Sequence, residues 1–155
     1  MPKFKTFEAL EQYLLKNFQQ VLAKSKDVER IMAEAMSQAV LDVVYAYYLP
    51  KQYERRADED GLSDVRNMGI TNYGINEDGD AYIIFENLTE GNFTLEGKYT
   101  TDTIVEGIEE NWDFTGRWMD RRDFVSETAK RLRENPFPLL DAFKKALIAK
   151  GFNVK

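Results

Sequence analysis

Residues 45–64 read YAYYLPKQYERRADEDGLSD, and this stretch marks the join between a long helix and a polar loop. The apolar pattern runs into three tyrosines and ends at Pro50, because the residue before a proline is displaced from helical conformation. The chain then becomes charged and loses periodicity. The join therefore separates a helical N-terminal part from a part of the chain without helical periodicity. It also carries Tyr and Arg side chains, the types favoured as interface anchors.

Two amphipathic helices are predicted upstream of the join. Apolar residues recur at steps of three and four from Phe7 to Leu22, after Thr6 as the N-cap. A second stripe runs from Val28 to Tyr47. It predicts a helix of about 22 residues, about 33 Å long, that ends before Pro50.

A loop and a hairpin are predicted next. Residues 51–67 are charged and aperiodic, and loops longer than about 12–15 residues are usually functional or disordered. We expect this loop to be mobile in the free chain and ordered on assembly. Met68–Ile75 and Ala81–Leu88 flank an Asp-Gly turn, which is a strong hairpin signal.

The C-terminal part is predicted to be helical again. A short helix is expected over 103–110, a further helix from Arg122 or Asp123 to about Arg133, and a last helix over 138–150 that ends at Gly151. The predicted fold is therefore one α+β domain spanning residues 1–155. It has two N-terminal helices, one of them long, a small antiparallel sheet with a hairpin, and C-terminal helices packed on the sheet.

The composition argues against several kinds of chemistry. The 155 residues include no Cys and no His, which excludes disulfides and thiolate chemistry and argues against Ser-His-Asp hydrolases and most zinc sites. We expect no catalytic, cofactor-binding or metal site and no enzymatic activity. No apolar run approaches the roughly 20 residues that span a bilayer, and the N-terminus is not of the signal-peptide type. We expect no membrane association and a protein that is made and, at least at first, kept in the cytoplasm.

The charge is unevenly distributed along the chain. Net charge is −6 overall, but residues 51–120 carry six basic and seventeen acidic side chains, whereas residues 121–155 carry nine basic and four acidic. Solvated faces are the preferred interpretation of this split. The alternative is that an acidic middle and a basic end suit pairing with copies of the same chain or with complementary neighbours. The acidic middle argues against wrapping a nucleic acid.

Acidic clusters at 58–64 and 77–80 raise the question of a calcium site. The second cluster does not fit the helix–loop–helix calcium pattern, because the first ligand position would be a glycine and the twelfth a phenylalanine. A solvated loop and a hairpin turn are the preferred interpretation. Glu106 and Glu110 share a helical face, but no cleft with a second carboxylate is indicated.

Aromatic and Arg side chains are the candidate protein-interface residues. For Trp112 and Trp118 a core position is the preferred interpretation and a partly exposed contact role the alternative, and paired arginines are also typical of ion pairs with acidic loops. The candidates are Tyr48, Tyr53, Arg55, Arg56, Trp112, Trp118 and Arg122.

Several short motifs in this order resemble a known family. They are the residues 48–56 YLPKQYERR, the residues 61–64 GLSD, the residues 86–89 ENLT, the residues 104–107 IVEG and the residues 122–128 RDFVSET. The chain resembles, over about residues 28–150, small proteins encoded between the capsid and tail genes of long-tailed bacteriophages of Gram-positive hosts. These are minor capsid, neck, head–tail joining or tail-completion proteins. That family often has Arg-Pro-Phe where this chain has Arg122-Asp123-Phe124.

The resemblance implies a structural virion protein in the ring-shaped neck that connects the head to the tail. Its partners would be copies of itself and neighbouring connector and tail proteins, with genomic DNA passing through the channel without specific binding. A tail-terminator or other ring protein of the same virion is one alternative. A carboxylate-based enzyme or a small-ligand-binding module is the alternative from a different class.

Overall fold

The structure is a computed structural model that describes residues 5–46, 59–90, 105 and 122–154. The helices are α1 (Phe7–Ala23), α2 (Lys26–Ala39), α3 (Phe124–Glu134) and α4 (Phe137–Ala149). Strands β1 (Met68–Ile75) and β2 (Ala81–Asn87) form a two-stranded antiparallel sheet. A π-helical segment, Val40–Tyr45, extends α2, and a 3-10 turn, Val65–Asn67, leads into β1. The predicted α+β class, with N-terminal and C-terminal helices, is confirmed.

The second helix differs from the continuous α-helix that was predicted. It changes to π-helical geometry at Val40, and the Ala46 N–H donates to the Leu41 carbonyl at 2.9 Å. Met36, Val40 and Val44 are all buried at steps of four residues. Steps of four drift by about 40° around an α-helix of 3.6 residues per turn. The wider turn of the π-helical segment removes that drift and keeps Val40 and Val44 on the same buried face as Met36.

The hairpin forms where the Asp-Gly signal predicts it. The Asn76 N–H donates to the Asp80 carbonyl at 2.9 Å, and Gly79 adopts a φ of 88°, which an L side chain rarely adopts. Along β2, Tyr82 and Ile84 are exposed, whereas the alternate residues are half-buried. One face of the strand is therefore covered and the other faces solvent.

The described chain divides into two compact units by its internal contacts, and the first comprises Met1–Ile31, Ile70–Glu86 and Phe137–Lys155. In this unit α4 packs against α1, and the rings of Phe18 and Phe152 lie 5.7 Å apart between centroids. Gly151, with a φ of 87°, ends α4 as predicted. A single domain spanning residues 1–155 stays a prediction.

The second unit comprises Met32–Gly69 and Asn87–Pro136. Here α3 packs against the π-helical segment, and Phe124 is fully buried. Asp123 is the N-cap of α3, where its carboxylate accepts hydrogen bonds from the Ser126 N–H and hydroxyl, both at 2.8 Å. This helix, predicted to begin at Arg122 or Asp123, begins at Phe124, because the Asp123 carboxylate caps its first turn from the preceding position.

Candidate interface segment and its anchors

The candidate interface segment, residues 47–58, lies outside the described residues, but the chain on either side of it belongs to the second unit. It follows the π-helical segment and precedes a turn at residues 59–64. We call these two flanking structures the anchors of the segment.

The anchor after the segment centres on Asp64, which is only 3% exposed. Its carboxylate accepts the N–H groups of Asp60 at 2.8 Å and Arg66 at 2.9 Å, and the Arg66 guanidinium pairs with both carboxylate oxygens. The guanidinium, followed by the two backbone N–H groups, holds the pKa of Asp64 well below its usual range against the opposing effect of burial. The carboxylate therefore closes the turn as an ionised acceptor.

A second set of hydrogen bonds joins this turn to the end of β2. Asn87, 3% exposed, donates from Nδ2 to the Leu62 carbonyl at 2.7 Å and accepts at Oδ1 from the Thr89 N–H at 3.1 Å. The Thr89 hydroxyl lies 2.6 Å from Asn87 Oδ1 and 3.2 Å from the Gly61 carbonyl. We call residues 60–67 with Asn87 and Thr89 the polar node. Two of the short motifs in the sequence, residues 61–64 and 86–89, meet in this node.

The polar node is also joined to α2. The Ser37 hydroxyl donates to the Ser63 carbonyl at 2.7 Å, and Asn67 Nδ2 donates to Asp60 Oδ1 at 3.1 Å. Leu62, Ser63 and Thr89 are buried together with Asp64 and Asn87. Residues 51–67 were expected to be a mobile loop. Its described part, residues 59–67, is a turn closed by hydrogen bonds, because buried backbone groups there find side-chain partners. Mobility of the 51–67 loop stays a prediction.

The anchor before the segment is an ion-pair link between the π-helical segment and α3. Arg131 pairs with Asp42 at 2.9 Å and with Glu127 at 2.9 Å. The carboxylates of Glu127 and then Asp42 raise the pKa of Arg131 above its usual value. The Arg131 side chain is 29% exposed and that of Asp42 is 49% exposed, so this link is accessible to water and salt.

Of the predicted interface residues, only Arg122 lies in the described chain. It is half-buried directly before the N-cap of α3, and its carbonyl accepts the Phe124 N–H at 2.9 Å. Tyr48, Tyr53, Arg55, Arg56, Trp112 and Trp118 lie outside the described residues. The interface role of all seven residues stays a prediction.

Where they are described, the acidic clusters belong to turns. Asp60 and Asp64 take part in the polar node, and residues 77–80 form the hairpin turn. Among residues 5–46, 59–90, 105 and 122–154, no group of three or more acidic side chains is placed to hold a metal ion. Glu106 and Glu110 lie outside the described residues. Within the same ranges, no helix combines the length and apolar character needed to cross a membrane.

Sequence reasoning missed the polar node. The residues 61–64 and 86–89 were singled out only as parts of a resemblance, and Asp64 only as one of several crowded carboxylates. The signal available was the presence of Asn and Thr directly after an apolar strand, where they satisfy backbone groups that leave the sheet.

No curated protein and no solved structure matches the chain significantly. The sequence model of the YomN family matches residues 6–149, which span α1 to the end of α4. That family is phage-derived, and its name-giving member comes from a Bacillus prophage. This chain therefore belongs to the YomN family and is a phage-associated protein.

Proposed function

We propose that this protein is a structural component of the virion of a tailed phage. It would form part of the ring-shaped neck or connector that joins the DNA-filled head to the tail. The observation that carries the proposal is membership of a phage-derived family across residues 6–149. The short motifs shared with small neck and tail-completion proteins of long-tailed phages point to the head–tail junction.

The anchors support a docking role for the candidate interface segment. The chain enters the segment from a helix held by Arg131 and leaves it into the polar node, where Asp64 and Asn87 are almost completely buried. A segment fixed at both ends loses less conformational freedom on binding than a free terminus does. Its Tyr and Arg side chains would supply the contact energy.

The charge distribution supports self-association without DNA binding. The middle of the chain has a net charge of −11, from six basic and seventeen acidic residues, and residues 121–155 have a net charge of +5, from nine basic and four acidic. In a ring, one surface of each copy meets a different surface of the next. The proposal includes no catalysis, since the chain has neither His nor Cys to act as nucleophile or neutral-pH base.

The proposal is tested in the phage that encodes the protein. We expect mass spectrometry to find the protein in purified particles, and deletion of its gene to yield DNA-filled heads and separate tails in electron micrographs. Complementation with the intact chain restores joined particles, whereas a Tyr53→Ala/Arg55→Ala variant does not. Lys16→Ala/Glu77→Ala, which alters two exposed charged residues elsewhere, is the matched control and restores them.

Three results would count against this function. Normal particles after deletion, or absence of the protein from purified particles, contradict a virion role. Tails of irregular length on joined particles would instead place the protein at the tail end, as a tail terminator.

A further inference from the structure

The first half of α1 carries an open apolar groove of about 280 Å³. Phe7, Leu10, Leu14, Leu15 and Phe18 line it together with Glu11. All of the lining residues come from α1, so within the described chain α4 does not fill the groove, although it packs against α1 elsewhere. Phe7 is 77% exposed. Such a surface on a small protein is a candidate interaction site.

A complementary ridge lies on the exposed side of α4. Phe137, Leu140 and Ile148 are 76%, 53% and 50% exposed. With Lys144, which is also exposed, they recur at steps of three and four residues and therefore share one helix face. Ala142, on the opposite side of the helix, is buried.

Groove and ridge have opposite unpaired charges. Glu11 lines the groove, Lys144 lies within the ridge, and neither has an ion-pair partner among the described residues. The neighbouring Lys145, by contrast, pairs with Asp141 at 2.7 Å. An apolar ridge with a central cation complements an apolar groove with an acidic wall in polarity and in charge.

The geometry points to a second copy of this chain as the occupant: we propose that the α4 ridge of one copy docks into the α1 groove of the next, with Lys144 facing Glu11. The inference deepens the proposed function and rests on its premise that copies associate. The two exposed phenylalanines alone would remove about 200–400 Å² of aromatic surface from water. Groove and ridge are different surfaces, so the contact is heterologous and can be repeated from copy to copy.

The test is a charge exchange in the full-length protein, read out by sedimentation velocity at low salt over a range of concentrations. Glu11→Lys and Lys144→Glu should each weaken self-association about tenfold, a factor equal to ~1.4 kcal/mol. The double variant, in which both charges are exchanged, should recover most of the lost self-association. An equimolar mixture of the two single variants should also associate, because each groove then meets a ridge of opposite charge.

Matched controls separate this contact from general charge effects. Lys16→Glu and Glu77→Lys make the same charge changes at exposed positions outside groove and ridge, and should leave association unchanged. Phe137→Ser should weaken association, whereas Ile84→Ser, on the exposed face of β2, should not. All the altered side chains are exposed, and circular dichroism checks that each variant is folded.

Three outcomes overturn the inference. These are a wild-type protein that stays monomeric at every concentration, single variants that associate normally, and a double variant that stays as weak as the single ones. Normal association of the single variants would refute this interface but would not affect the virion proposal. Absence of the protein from purified particles would remove the virion proposal whatever the association data show.

Discussion

Replacing Asn87 by Ala should destabilise the protein strongly, because this side chain satisfies several buried groups at once. Its Nδ2 donates to the Leu62 carbonyl, and its Oδ1 accepts the Thr89 N–H and lies 2.6 Å from the Thr89 hydroxyl. Removal leaves the Leu62 carbonyl and the Thr89 N–H without these partners in a site that is almost inaccessible to water. Each of these two buried unsatisfied groups costs about 1–3 kcal/mol, so we expect a total loss of ~2–6 kcal/mol.

Urea unfolding followed by circular dichroism measures this loss. With an m-value of about 1–3 kcal/mol/M, a loss of about 3 kcal/mol lowers the midpoint by ~1–3 M. Asn72→Ala is the matched control: it makes the same change on the other strand of the hairpin, where Asn72 is exposed, and should cost less than about 0.5 kcal/mol.

A second variant shows whether hydrogen bonding is the cause. Asn87→Asp keeps an acceptor for Thr89 but directs a carboxylate oxygen, in place of a donor, at the Leu62 carbonyl. Burial disfavours the charged form, so the variant should be least stable at neutral pH and recover towards pH 4, where a protonated carboxyl can donate. Equal stability of Asn87→Ala and Asn72→Ala would refute the view that the polar node holds this end of the segment.

Three further predictions concern the charged contacts of the second unit. Asp123→Ala removes the N-cap of α3 and should lower the free energy of unfolding, measured by heat or urea, by ~1 kcal/mol. An unchanged free energy of unfolding would mean that the cap is dispensable. A double-mutant cycle of Asp42→Asn with Arg131→Gln should give a coupling energy of about 0.2–1 kcal/mol that falls with added salt, and a salt-independent value would contradict a solvent-accessible pair. The folded-state pKa of Asp64 is depressed, so its charge stabilises the fold above the usual carboxylate pKa of about 3.9 and ceases to do so as pH falls through the lower folded value. The stability advantage of wild type over Asp64→Asn should be constant above about pH 5 and shrink below pH 4, and an advantage unchanged down to pH 2 would contradict it.

Local signals predicted the regular elements well. Apolar residues at helical spacing located α1 and α2, and the Thr6 hydroxyl accepts the Ala9 N–H at 3.2 Å, as an N-cap should. The Asp-Gly pair placed the hairpin turn at Gly79, and both strands start at the predicted residues. These features depend on residues within a few positions of one another, which is the range over which a pattern in the sequence is informative.

The polar node could not be predicted in the same way. Asn87 bonds a carbonyl 25 residues earlier in the chain, and Ser37 bonds one 26 residues later. Asn, Thr and Ser in polar stretches are usually solvated, and only the folded backbone decides which carbonyl each one reaches. The π-helical segment was missed for a related reason. Val40 and Val44 also fit an α-helical stripe, and the choice between the two geometries depends on what the valines pack against.

The two anchors of the candidate interface segment differ in chemistry, and this difference should be measurable by salt. The link at Arg131 and Asp42 is an exposed ion pair, and the Debye length falls from about 10 Å at 0.1 M to about 3 Å at 1 M salt. The polar node depends mainly on buried hydrogen bonds, which salt screens little. Hydrogen exchange at the Ala46 N–H, which bonds Leu41, should therefore accelerate about two- to fivefold between these salt concentrations, equivalent to ~0.4–1 kcal/mol. Exchange at the Leu88 N–H, bonded to the Asn67 carbonyl at 2.7 Å, should not change. Equal acceleration at both amides would show that the anchors open together, and the segment would then have no end that stays fixed when the ion pair is screened.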